Sequence, residues 1–383
     1  MGDAPALSWK LTPSEEALIA YVWRGTTPPV GMWQALFDSA KQQGIGLLFA
    51  FLAAREPHLP AALQARLRDM RYHAGIFHIR AEQQLRQISA ISCELAIPLI
   101  LLKGPITARA YPVPEARPFS DLDLLAPSEV SAQLLGTALE ARGYIAAPAD
   151  SRTGHLPPLQ APDGGLRVEL HCSELEILPT LRADESLWGR TSPLPDLPGI
   201  AAMSPVDHAL YFTIHALEKH TLEVGLRALV DFGFWVQHWD GATWDQLREQ
   251  MLAQHLEPPM RLMLALWGWV QGVPWSELPL AASFPPPPDA ILAQALEALF
   301  RRKGALLPTT WRDVPQGQQG WLIYVHNVLT SGGTLGYKQI PKRILHLLRT
   351  HGPGLFQLVL RNPETRRRWR MQRQLQDWLR HGD

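Results

Sequence analysis

Asp121 and Asp123, one residue apart in Ser120-Asp121-Leu122-Asp123-Leu124-Leu125, are the residues of this chain best spaced to do chemistry. Successive side chains of a strand alternate faces, so the two carboxylates point one way and Leu122 and Leu124 point the other, into a core. Two carboxylates on one face make half a metal cage. About one such D-x-D is expected by chance in a chain of this length, so its surroundings decide its weight. Lys103-Gly104-Pro105 lies upstream and Arg117 stands four residues before the first Asp. Downstream, Leu166-Arg167-Val168-Glu169-Leu170-His171 alternates again, and Glu169 can supply a third carboxylate. Without metal such acids repel, so Asp121→Asn and Asp123→Asn are expected to leave stability unchanged or higher.

The elements that must hold these residues can be read around them. Pro98 to Leu102 is wholly apolar, as a buried strand is, and it stops at Lys103-Gly104-Pro105. Glycine there permits close backbone approach and proline starts a helix well, so Gly104 marks a strand-to-helix turn. Ser131 to Arg142 reads as a helix ended by Gly143, with Leu134, Leu135, Ala138 and Leu139 as its core stripe. Pro148 to Gly165 is rich in Pro, Gly and Asp, and Asp163-Gly164-Gly165 reads as a hairpin turn before the Glu169 strand. The expected core, Ile97 to about Glu176, runs β-α-β-α-turn-β in one small sheet.

With these motifs assembled, the chain resembles the polymerase-β-like nucleotidyltransferase superfamily. Within it, the chain is similar to a bacterial group that reads LKG, about a dozen residues, R-x-x-S-D-x-D-L-L, then x-E/D-L-H. The resemblance covers Leu101 to His171 and extends weakly to about Phe232. It implies that Asp121, Asp123 and Glu169 bind two divalent ions, Mg²⁺ or Mn²⁺, that carry a nucleoside triphosphate. Lys103, Gly104, Arg117 and Ser120 become the candidate nucleotide contacts. His171, His215, Lys219, His220, Arg227 and Asp231 become candidates for an acceptor side. The wider superfamily has Gly-Ser at its phosphate turn, where this chain has Lys103-Gly104-Pro105. The implied reaction moves a nucleoside monophosphate to an acceptor hydroxyl or phosphate and releases pyrophosphate. The rivals are a phosphotransferase using the same acids and a non-catalytic protein that binds a peptide or partner on this fold. The acceptor is expected to be a small molecule or peptide, with nucleic acid not favoured.

The rest of the chain frames that centre. At 383 residues, 46% hydrophobic and 19% charged, it is long enough for two or three domains with real cores. Equal numbers of basic and acidic residues, 36 each, give no general attraction to nucleic acid or membranes. Two cysteines at no metal spacing and no apolar leader make a reducing cytoplasm the default, and no apolar run suits a membrane span. The expected class is α+β (mixed α/β), a small sheet core flanked by predominantly helical N- and C-terminal regions. The expected division is 1–96, a helical region; 97–199, the core; 200–284, helices closing the cleft; and 289–383, helical with a basic tail.

Thr12-Pro13-Ser14-Glu15 is a capping box opening the first helix. Further helices are expected over Met32 to about Arg55, Pro60 to about Leu95, from Ser204-Pro205, and from Trp244 to about Gly272, with Trp267 and Trp269 as packing residues. His73 and His78 lie five apart, on different faces of a helix, and make a poor metal pair. Pro285 to Pro288 reads as a stiff spacer. Lys338 to Asp383 carries eleven Lys and Arg against three acids, read chiefly as a helix bound back onto an acidic face.

Overall fold

The computed structural model describes residues 10–147, 156–172, 185–219, 222, 224–300 and 363–382. Helices α1 (Pro13–Arg24), α2 (Trp33–Gln42), α3 (Gly46–Leu52) and the long α4 (Ala61–Glu94) come first. The capping box forms as expected, with the Thr12 hydroxyl on the Glu15 N–H and the Glu15 carboxylate on the Thr12 N–H. The single helix expected over 32–55 is broken at Gly44, whose φ of +72° and contact with Val224 O leave no room for a side chain.

Then follow β1 (Leu99–Leu102), α5 (Gly104–Ala108), β2 (Asp121–Ala126), α6 (Glu129–Glu140), β3 (Ile145–Ala146), β4 (Leu159–Gln160), β5 (Arg167–Cys172), α7 (Glu185–Gly189), β6 (Ser192–Pro193) and β7 (Ile200–Ala202). The sheet order is β3-β4-β5-β2-β1-β7-β6. β2 runs antiparallel to β1 and parallel to β5, and β1 runs parallel to β7. The fold is a mixed α+β one, as the sequence implied, and the wholly apolar β1 is covered on both sides.

One sheet face carries Leu99, Leu101, Leu122, Leu124, Val168 and Leu170, packed under Ala81, Leu85, Ile88 and Ile91 of α4 and Ala132, Leu135 and Leu139 of α6. Leu134 is 55% exposed, because the residues that meet the sheet, Ala132, Leu135 and Leu139, are successively three and four apart, and Leu134 turns away from that stripe. The other face is divided. Ile100, Leu102 and Leu125 enter a second core built from helices on both sides of the sheet in sequence, whereas Asp121, Asp123 and Glu169 remain polar.

That second core joins α1 to α3 with α8 (Pro205–Ile214), α9 (Arg227–Val236), α10 (Gly241–Ala253), α11 (Glu257–Gln271) and α12 (Asp289–Phe300). The helix expected over 244–272 is two helices, parted at His255 with φ 54°. Trp267 packs edge-on against Phe232, as a core residue does. The Pro285 and Pro286 carbonyls accept hydrogen bonds from Arg261, and residues on both sides of the proline run share this core. The last helix, Pro363–His381, buries Leu375, Trp378 and Leu379 in it, and Arg367 pairs with Glu297 at 3.3 Å. The rest of the basic stretch, 338–362, lies outside the described residues.

Candidate functional site

Strand register brings the acids together. The parallel β2–β5 pairing sets Asp123 opposite Glu169 and Asp121 opposite Arg167, while β1 sets Leu102 beside Asp123. Asp123 is 1% exposed, and its Oδ1 accepts from Lys103 Nζ at 2.7 Å and His171 Nε2 at 2.8 Å. Burial alone would raise its pKa, yet the His171 hydrogen bond and the Lys103 charge overcome that and hold it well below the usual carboxylate range. Arg167 straddles the other two acids, 2.6 Å from Glu169 Oε1 and 3.6 Å from Asp121 Oδ2. The repulsion expected between bare carboxylates is therefore offset within the fold, since each acid has a cation of the chain itself.

β1 becomes α5 within one residue. Lys103 makes the turn at φ 50° and ψ −120°, a region that non-glycine residues rarely occupy and that stores strain. This backbone aims the Lys103 side chain at Asp123 and its carbonyl at the Thr107 N–H and hydroxyl. Gly104 is needed for want of space. A Cβ there would lie 2.6 Å from Phe119 Cβ and 3.1 Å from the Arg117 guanidinium, so the glycine lets the Arg117–Phe119 loop close over the turn.

The opposing wall comes from α8 and α9. Arg117 grips Asp231 with Nε at 3.2 Å and an NH2 at 2.9 Å, and the Tyr111 hydroxyl donates to the same carboxylate at 2.5 Å. Burial opposes the Arg117 charge, but Asp231 outweighs it and raises the pKa. Tyr111 is held neutral, its pKa pushed well up by burial and by Asp231. On α8, His208 stacks 4.0 Å from Trp235, and its Nε2 lies 3.1 Å from the Thr107 hydroxyl. That hydroxyl gives its hydrogen to the Lys103 carbonyl, so it must accept from Nε2–H, which leaves Nδ1 as a bare acceptor. Burial, with Arg117 adding, pushes the His208 pKa down to about 3. Among the described residues neither His208 Nδ1 nor the Tyr211 hydroxyl has a hydrogen-bond partner. Burial raises the Tyr211 pKa well above its usual value, and the nearby charges of Asp123 and Glu169 add to the shift.

Between these walls lies a cleft of about 350 Å³. Lys103, Gly104, Arg117, Ser120, Asp121, Asp123, Glu169, His215, Arg227 and Asp231, all singled out from sequence, line it together. His171 does not. It stands opposite Leu125, 2% exposed and behind Asp123, and its ring belongs with the acids rather than with an acceptor wall. Lys219 ends the π-helical turn His215–Lys219, and His220 lies outside the described residues. Arg167, Phe119, His208 and Tyr211 line it as well, though none was among the expected site residues, and Tyr111, also not foreseen, reaches the site through its hydrogen bond to Asp231. For Arg167 the signal was present, two residues before Glu169 on the same strand face.

The donor set suits a divalent ion. Ligand atoms of Asp123, Glu169 and His171 lie within 4.8 Å of one another, and the Lys103 and Arg167 cations already stand where positive charge is wanted. No helix among the described residues is long and apolar enough to cross a membrane. No curated protein matches the chain. Residues 30–270 match the family described as uncharacterised nucleotidyltransferase, which takes in the cleft from Lys103 to Asp231 together with the helices that close it; the chain belongs to that family.

Proposed function

We propose that the protein is a metal-dependent nucleotidyltransferase that moves a nucleoside monophosphate from a nucleoside triphosphate to an acceptor hydroxyl or phosphate. The observation that carries this reading is the β2–β5 register, which sets Asp123 against Glu169, with Asp121 beside them, on the polar half of a sheet face that opens into a cleft. Asp121, Asp123 and Glu169 would hold Mg²⁺ or Mn²⁺. When bound, the ion would offset negative charge on the transferring and leaving phosphates.

The chain's own residues supply position and proton handling. His171 fixes the Asp123 carboxylate from behind, and the Arg117–Asp231–Tyr111 cluster holds the facing wall rigid. The acceptor oxygen attacks the α-phosphorus, the bond from that phosphorus to the bridging oxygen breaks, and pyrophosphate leaves. The acceptor's proton passes to Glu169, the half-buried carboxylate at the cleft. Lys103 and Arg167, which are the cations nearest the acids, stand ready to meet phosphate oxygens.

The test is a screen of the four ribonucleoside triphosphates with Mg²⁺ or Mn²⁺, first by thermal shift and then by product mass with candidate acceptors. Nucleotide binding should stabilise the fold by about 2.7 kcal/mol at a hundred times its dissociation constant. A nucleotidyl adduct with pyrophosphate, lost in Asp121→Asn and Glu169→Gln, supports the proposal. A phosphoryl adduct with nucleoside diphosphate would make the protein a phosphotransferase. Absence of metal-dependent nucleotide binding would mean a non-catalytic role.

A further inference from the structure

Charge in the cleft is unevenly sorted. At the β2–β5 end, Asp121, Asp123 and Glu169 face Lys103 and Arg167, three carboxylates against two cations. At the α9 end, Arg117 and Arg227 face Asp231 alone, two guanidiniums against one carboxylate. The cleft is therefore negative where β2 and β5 begin and positive where α9 begins.

Arg227 is the residue behind that excess. Asp231 lies one turn further along α9, at the i,i+4 spacing that ordinarily makes a helix ion pair. It already accepts two hydrogen bonds from Arg117 and one from Tyr111. Among the described residues the Arg227 guanidinium has neither a hydrogen bond nor an ion pair, although its side chain is half-buried and lines the cleft. Only its backbone is anchored, by its N–H on the Gln43 carbonyl. Burial, then the charge of Arg117, lowers its pKa, and the opposing charges of Asp231 and Asp121 do not make up the difference.

We infer that Arg227 is the anchor for the terminal phosphates of the triphosphate, and hence for the leaving pyrophosphate, at the positive end of the cleft. This assignment rests on the nucleotidyl-transfer reading and gives the substrate a direction: α-phosphate at the acids, β- and γ-phosphates toward α9. A guanidinium suits the task because its planar fork meets two phosphate oxygens at once. The assignment also moves Arg227 from the acceptor side, where sequence alone put it, to the donor side. The acceptor is then left to the part of the cleft lined by the neutral Tyr211 and His208.

The experiment is calorimetric titration of the full chain with inorganic pyrophosphate in the presence of Mg²⁺. The wild type should bind, Arg227→Ala should weaken binding tenfold or more, and Arg227→Lys should recover part of the loss. Thermal denaturation without ligand accompanies each variant, and Arg227→Ala should melt at or above the wild-type temperature, because it removes an unpaired cation. Should Arg227→Ala fold poorly, Arg227→Gln, which keeps the length and polarity, takes its place in the titration. Equal pyrophosphate affinity in wild type and Arg227→Ala, or no binding by the wild type, would overturn the assignment. Turnover with undiminished pyrophosphate affinity in the variant would refute the anchor and keep the reaction; Arg227-dependent binding without turnover would do the reverse.

Discussion

Replacing Asp123 by Asn in the metal-free protein should be costly, and replacing Asp121 should not. Asp123 is 1% exposed and takes two charge-assisted or ring N–H hydrogen bonds, whereas Asp121 is 28% exposed and only 3.6 Å from a half-exposed Arg167. Removing one member of a buried ion pair costs about 3–5 kcal/mol. Lys103 keeps 20% of its exposure, and the Asn oxygen still accepts, so the loss should be about 2–3 kcal/mol. For Asp121→Asn the corresponding loss is at most about 1 kcal/mol. Urea denaturation in EDTA at pH 7 measures both. The acidity dependence supplies a second check. Asp123 is held below the usual carboxylate range, so its contribution is complete above the unfolded value of about 3.9 and disappears as pH falls toward the folded one. The gap between wild type and Asp123→Asn should thus be full at neutral pH and narrow below about pH 4. Equal losses in the two variants, or a gain in Asp123→Asn, would refute the pairing argument and restore the repulsion expected from sequence.

Two further substitutions probe how the site is positioned. Ala96 follows the α4 C-cap at φ 51°, with its N–H on the Cys93 carbonyl and the next N–H on the Ser92 carbonyl, a turn that favours glycine. Ala96→Gly should raise stability by about 0.5–1 kcal/mol in thermal denaturation, and a loss would mean that the Cβ packs usefully. Gly104→Ala would press a Cβ to 2.6 Å from Phe119 Cβ; it should cost about 1–3 kcal/mol and loosen the Arg117–Asp231 contact, and an unchanged melting temperature would show that the Phe119 loop yields freely.

Much of the acid cluster was legible because it depends on local alternation. Asp121, Asp123 and Glu169 needed only the two-residue period, and the strands β1, β2 and β5 formed within a residue or so of where apolar runs placed them. Helix α4, with its start near Pro60 and end near Leu95, was equally local. What periodicity could not supply was partner choice across the fold. Arg117 and Tyr111 meet Asp231 from 114 and 120 residues away, and nothing in the local pattern selects that carboxylate over Asp121. His171 looked like one more cleft residue until the register set it opposite Leu125, on the buried half of the face. The helix breaks at Gly44 and His255 likewise come from positive φ, which composition only hints at.

The four residues of β1 belong to both cores, Leu99 and Leu101 to one and Ile100 and Leu102 to the other. Melting either side would strip this central strand of half its cover, so neither core has a stable state without its neighbour. Cooperativity then follows from a strand of four residues: the sheet and the helices around it should lose amide protection together at Leu99–Leu102, in one step. The same sharing bears on where the chain can be cut. A fragment of residues 97–199 would bare Ile100, Leu102 and Leu125 on one face and lose the α4 side chains from the other. Such a fragment should behave as a collapsed, dye-binding species rather than a folded enzyme core, and a sharp thermal transition from it would show that the sheet stands without its helices.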